Sequence, residues 1–282
     1  MMIKDIIVNL SVSAKAAHAA EDYAISVASA FGAHITGIAF IYDTSIPLAY
    51  PLTSYGETPA MVLDALKREK AGLAKEAQDR FTKATSLAGV LAESRTFRTS
   101  FSGSIDRFGQ IARCFDLAIV GQVEPGTEAY ESNIAEGALF GSGRPMIVVP
   151  HTQKEPLKLD RVMVCWDGGL PAARAIADAM PLLERAGRIE LVIVTKERGK
   201  QDDTEGGDIG QHLARRALHV DVLRIAKGHM DVADTLLAHA ADTGTDFIVM
   251  GGHGHSRLRE FFLGNVTDAV LRSVKVPVLM SH

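Results

Sequence analysis

The chain has 282 residues, 47% of them hydrophobic and 23% charged, the make-up of an ordinary globular protein long enough for two domains. A net charge of −4 with no basic block gives no footing for nucleic acid, and no apolar run approaches the ~18 residues of a membrane span. The opening MMIKDIIVNL becomes a strand at once and shows no signal-peptide cleavage region, so a cytoplasmic protein is expected. Cys114 and Cys165 have neither metal-ligand nor disulfide spacing, which fits a reducing compartment, and Cys165 lies in an apolar strand as a buried structural thiol.

In chain order, Asp5 to Leu10 is a β-branched, apolar strand. Ala20, Tyr23, Ala24, Val27, Ala28 and Phe31 then recur at helical spacing, and Gly32 fits the residue just past a helix end. His34 to Tyr42 reads as a second strand, Pro59 to Ala88 as a long helix and Leu91 to Ser100 as a third strand. Ser104 to Cys114 is the next helix and Asp116 to Gly121 the fourth strand. The segment Tyr42 to Pro59, rich in Pro and Tyr, reads as a covering loop or lid.

A second series follows the Pro-rich, polar stretch from Pro150 to Leu159. Its strands are Val162 to Trp166, Ile189 to Thr195, Val220 to Ile225 and Phe247 to Met250. Its helices are Pro171 to Ala186, shortened or kinked by Pro181, then Gly207 to Leu218 and Asp231 to Ala241. Asp202, Asp203, Glu205 and Asp208 read as a solvated connection.

The two series match. DLAIVGQ at Asp116 to Gln122 parallels DFIVMGG at Asp246 to Gly252, RPMIVVP at Arg144 to Pro150 parallels VPVLMSH at Val276 to His282, and DIIVNLS at Asp5 to Ser11 parallels RVMVCWD at Arg161 to Asp167. Short, continuously apolar strands alternating with helices call for a parallel sheet covered on both faces. The expected fold is therefore α/β, with two tandem doubly wound, Rossmann-like domains over residues 1–150 and 159–282, each with a mainly parallel five-stranded sheet. Ligands of such sheets bind outside the carboxyl ends of the strands.

At one such end the chain runs Gly251, Gly252, Gly254 and, after nine further residues, Gly264. Glycines allow a ligand close to the backbone, and the helix start that follows presents free N–H groups to an anion. The spacing Gly251, two residues, Gly254, nine residues, Gly264 resembles the nucleotide loop of the universal stress protein family, and the turn Asp167-Gly168-Gly169 resembles the acidic turn that accompanies it. The resemblance covers both halves in layout and is specific from Arg161 to His282.

That resemblance implies a nucleotide site. Asp167 would meet the ribose, Val194 would lie near the adenine, and Gly251, Gly254, Gly264, Asn265, Val266 and Thr267 would hold the phosphates. The ligand would be ATP, or ADP or AMP, with magnesium as a companion. Asn265 departs from the pattern, which has Ser or Thr there. Its amide can donate to phosphate, and it is equally suited to cap the helix from Val266. In the first half Ser11 replaces Asp167, Pro125 interrupts the glycine loop and Ser132-Asn133 stands for Gly264-Asn265, so no tight nucleotide is expected there. That half is expected to act as a built-in partner, forming an intramolecular pseudo-dimer through the final strands, with room for a further homodimer.

His253 and His255 alternate around Gly254 but lack a third ligand with metal spacing. Arg257 and Arg259 fit either phosphate or a solvated loop, and Leu258, Phe261, Phe262 and Leu263 fit anchors to the core. No GK[ST] follows the glycines and no SGGxDS-like turn occurs, so neither a Walker-type ATPase nor an adenylating enzyme is indicated, and no catalytic residue is assigned. The functional readings are a stress-response protein that binds an adenine nucleotide without rapid turnover, a scaffold of the same fold without nucleotide, or a slow ATPase.

Overall fold

The computed structural model describes residues 2–12, 18–43, 59–122, 132–195, 206–252 and 265–282. The first half runs β1 (Asp5–Asn9), α1 (Ala19–Phe31), β2 (His34–Tyr42), α2 (Pro59–Ala88), β3 (Ala92–Thr99), α3 (Phe101–Ala112), β4 (Leu117–Gly121), α4 (Ser132–Gly141) and β5 (Met146–Val149). The second repeats it with β6 (Arg161–Cys165), α5 (Leu170–Leu183), β7 (Arg188–Thr195), α6 (Gly207–Ala214), β8 (Val220–Ala226), α7 (Val232–Thr243), β9 (Phe247–Gly251), α8 (Asn265–Ser273) and β10 (Val278–Ser281).

All ten strands form one sheet, in the order β3-β2-β1-β4-β5-β10-β9-β6-β7-β8. Within each half every pairing is parallel. The halves join where β10 pairs antiparallel with β5, Val278 opposite Val148 and Met280 opposite Met146. The two final strands thus cover each other's open edges, which would otherwise be templates for aggregation. The same antiparallel joint turns the two halves end for end, so their carboxyl edges lie on opposite sides of the common sheet.

Strands such as β4 and β9 are buried along almost their whole length because helices cover both faces. One apolar layer lies under α1, α2, α5 and α6, around Tyr23, Phe81, Ile176 and Leu213. The other lies under α3, α4, α7 and α8, around Phe108, Leu139, Leu236 and Val270. Both layers run without a break through β5 and β10, so each core draws on both halves. The connecting stretch is docked as well, the Leu157 amide donating to Ser26 Oγ at 2.9 Å, and beyond α5 Arg185 stacks 4.0 Å from the centre of the Phe31 ring of the first half.

Three helix limits differ from the sequence expectation by three residues or more. α3 starts at Phe101 rather than Ser104, because Ser100 caps it by accepting from the Gly103 amide. α6 stops at Ala214 rather than Leu218, and Ala217 takes a left-handed φ of 60° on the way to β8. α5 carries Pro181 in its last turn and ends at Leu183, short of Ala186. Among the described residues no helix is long and apolar enough to cross a membrane.

Candidate functional site

The strands β7, β6 and β9 lie side by side and parallel, so their carboxyl ends share one edge. Asp167 follows β6, Val194 sits one residue before the end of β7 and Gly251 ends β9. α8 connects that edge back to the amino end of β10, so its first turn, with Asn265, Val266 and Thr267, starts where those strands finish. The fold therefore brings Asp167, Val194, Gly251 and the start of α8 to one edge. Gly254 and Gly264 lie outside the described residues, as do His253, His255, Arg257, Leu258, Arg259, Phe261, Phe262 and Leu263. So do residues 44–58 of the expected lid, Pro125, Asp202, Asp203, Glu205 and the side chains of Ser132, Asn133 and Asn265.

The Asp167 turn is open. Asp167 is exposed, and its Oδ1 accepts from the Gly169 amide at 2.9 Å. Gly168 takes a left-handed φ of 75°, which reverses the chain into α5 at Gly169. The neighbouring Cys165 thiol is pushed up to about 12, first by burial and second by the Asp167 charge, so it stays protonated and inert.

Gly251 is explained by packing. A Cβ there would lie 2.5 Å from the Ala172 amide nitrogen and 2.7 Å from the Pro171 carbonyl carbon, so only glycine lets β9 meet the start of α5. Gly252 is similarly tight, its Cβ position being 2.7 Å from Leu139 Cδ2 of the first half. His282 closes this corner, with Nδ1 3.0 Å from the Gly252 carbonyl and its ring edge-on to Phe140 at 4.9 Å.

In α8 the helix begins at Asn265, one residue before the capping expectation. Val266 is half-buried, and Thr267, 1% exposed, turns its side chain into the protein. Asp268 pairs along the helix with Arg272 at 2.9 Å. Val194 is half-buried against the same apolar layer as Val266. Among the described residues, no group of three or more His, Cys, Asp or Glu could hold a metal ion.

The equivalent edge of the first half is built differently. Ser11 occupies the Asp167 position and its backbone is clamped from both sides. Glu21, 4% exposed, accepts from the Ser11 amide at 3.1 Å. Arg80 of α2 donates to the Ser11 carbonyl at 3.0 Å and grips both Glu21 oxygens, at 2.9 and 3.1 Å. At the end of β4, Gln122 stands where Gly252 stands at the end of β9. Its Nε2 donates to the carbonyls of Leu271 and Val274, at 3.1 and 3.2 Å, and Nδ1 of His151 lies 3.2 Å from its Oε1. Sequence reasoning found neither arrangement. The one visible signal for the second was Gln where the repeat has Gly.

Taken together, the molecule is a doubly wound α/β protein of two like halves, with an open acidic turn and a helix start on one edge of the second. Residues 158–282 match the family model described as the universal stress protein family. A universal stress protein from Synechocystis is 24% identical over 198 residues, 68% of this chain and 66% of that protein. One from Methanocaldococcus jannaschii is 46% identical over 41 residues, 14% of this chain and 25% of its own length. The chain thus spans less than two thirds of either relative. Among solved structures, a universal stress protein from Archaeoglobus fulgidus superposes with a TM-score of 0.73 at 16% identity, over 99% of this chain and 96% of that one. A functionally unknown protein from Pseudomonas aeruginosa superposes at 0.59 and 12% identity, over 98% and 92%. At these identities the superpositions establish the fold. The second half thus matches the universal stress protein family model, and the superpositions extend the likeness in fold to the whole chain.

Proposed function

We propose that the second half binds one adenine nucleotide per chain, ATP or its ADP and AMP relatives, without rapid turnover, and that the protein acts as a nucleotide-responsive member of a stress-response family. The observation that carries this reading is the contrast between the two edges. The turn at Asp167 leaves an exposed carboxylate beside the end of β9 and the start of α8, whereas the matching turn at Ser11 is filled by the Glu21–Arg80 pair. On this reading Asp167 accepts from the ribose hydroxyls. Val194 lies toward the base, and the backbone of Gly251, Gly254, Gly264, Val266 and Thr267, with Asn265, surrounds the phosphates. Among the described residues the site offers no evident base to activate water, and hydrolysis is expected to stay below about one turnover per second.

A second reading has its own support. Gly251 and Gly252 are both required by packing against α5 and Leu139, so these glycines would be needed in a scaffold that binds no nucleotide.

The deciding experiment is mass spectrometry of protein denatured directly after purification, beside calorimetry with ATP and magnesium. Co-purified adenine nucleotide and one site per chain support the proposal. Asp167→Ala should weaken ATP by about tenfold, the scale of a lost hydrogen bond to a charged group. No binding at millimolar ATP would establish the scaffold instead.

A further inference from the structure

We propose that Gln122 of the first half is a positioning residue for the nucleotide site of the second, holding α8 in place from the end opposite the phosphates. The inference rests on the nucleotide reading above and concerns residues that reading does not use.

α8 has nine residues, about two and a half turns. A helix that short has little stability of its own and depends on what holds it. Thr267 and Val270 are buried within the helix and Val274 just beyond it, and Val266, Ala269 and Leu271 pack partly buried against the same layer. Its last carbonyls have no partners inside the helix and need donors from elsewhere. Gln122 supplies them across the joint between the halves. Its side-chain amide donates to the carbonyls of Leu271 and Val274, 149 and 152 residues away in sequence. Gln122 is itself 6% exposed, its backbone amide is bound to the Val149 carbonyl at 2.7 Å, and His151 holds its Oε1. A fully engaged, buried amide fixes direction as well as distance, because each of its groups has a geometric optimum. The end of α8 is thereby tied to β4 and β5 of the first half, and the axis along which its first turn points is set by the same tie.

The corresponding place in the other direction works without such a tie. There Leu139 of α4 lies directly over Gly252, filling the space a side chain would need. Counting back from the final strands, Leu139 and Leu271 are equivalent positions. The joint is therefore reciprocal in place and different in chemistry: an apolar side chain over a glycine on one side, a polar side chain capping a helix on the other. Where the repeat has Gly252, Gln122 delivers a cap to the helix that starts the second half's site.

The test compares the full-length parent with Gln122→Met, which keeps bulk and loses both donors, and with Arg80→Met, which breaks the Glu21 clamp in the first half without touching α8. ATP affinity is measured by calorimetry with magnesium, well below the melting transition, and amide hydrogen exchange of α8 is followed without nucleotide. Gln122→Met should weaken ATP about tenfold and speed exchange along α8. Arg80→Met should lower the melting temperature and leave ATP affinity within about twofold, a difference smaller than ordinary single-contact effects. A parent that binds ATP beside a Gln122→Met protein with equal affinity overturns the positioning role alone. So does an Arg80→Met protein that loses as much affinity as Gln122→Met, because the loss would then follow stability. A parent that binds no ATP overturns the nucleotide reading itself and this role with it.

Discussion

The turns after β1 and after β6 begin from the same strand position in the same fold and end in opposite states. After β6 the chain exposes a carboxylate, Asp167, which accepts from the amide of Gly169 two residues on. After β1 the chain has Ser11, and the space around it is taken by a buried carboxylate and the guanidinium that neutralises it. The comparison teaches how one strand end can be finished in two ways within the same fold: the first half satisfies the backbone there with a buried ion pair, and the second leaves a carboxylate exposed.

The largest effect expected from breaking this contrast comes from the clamp. Arg80→Met leaves Glu21 buried without its partner and should cost about 3 kcal/mol, the lower end for splitting a buried pair, since Arg80 is 32% exposed. Thermal unfolding reads the loss, and the variant should still bind ATP at its second half.

Next come the paired glycines that end β4 and β9. Gly251→Ala drives a methyl into the backbone of Pro171 and Ala172 and should destabilise by about 1–3 kcal/mol. Among the described residues Gly121→Ala meets the Ala20 methyl at 3.6 Å, an ordinary contact, and should stay within about 0.5 kcal/mol. Denaturant titration of the two variants side by side checks this. Equal losses would mean that Gly251 is not the packing glycine described above.

Asn265 gives a finer test of the site. Asn265→Ser restores the hydroxyl of the family pattern and should hold or tighten ATP, whereas Asn265→Ala should weaken it. An alanine variant that melts earlier by about 1 kcal/mol but binds ATP as well as the parent would leave Asn265 as a helix cap only. The smallest effect is chemical. Burial keeps the Cys165 thiol at about 12, above its ordinary value, so at pH 8 it stays protonated. In the native protein alkylation should mark Cys114, which is exposed, and should reach Cys165 only after unfolding.

Much of this was legible in the sequence because it is local. The strands β4 and β9 stand out as repeated apolar runs ending in glycine, and the capping glycine after α1 is where periodicity put it. The edge that gathers Asp167, Gly251 and α8 follows from strand order alone. Other features were illegible for a physical reason. Glu21 and Arg80 are 59 residues apart, and nothing in either helix pattern marks the pair as buried. Gln122 shows in the sequence only as Gln where the repeat has Gly, and its duty appears when α8 arrives from the other half. Gly251 reads in the sequence as a glycine for a ligand, and what the structure shows is a packing duty that only the α5 backbone reveals.

The place of β10 between β5 and β9 has a consequence for how the protein is made. β5 is complete at Val149, yet the strand that covers its edge spans Val278 to Ser281. During synthesis the first half must wait, with an apolar strand edge bare, for about 130 further residues to be translated, which at 5–20 residues per second leaves it uncovered for several seconds or longer. That interval, rather than the finished molecule, is when the chain is most exposed to wrong pairing with its neighbours.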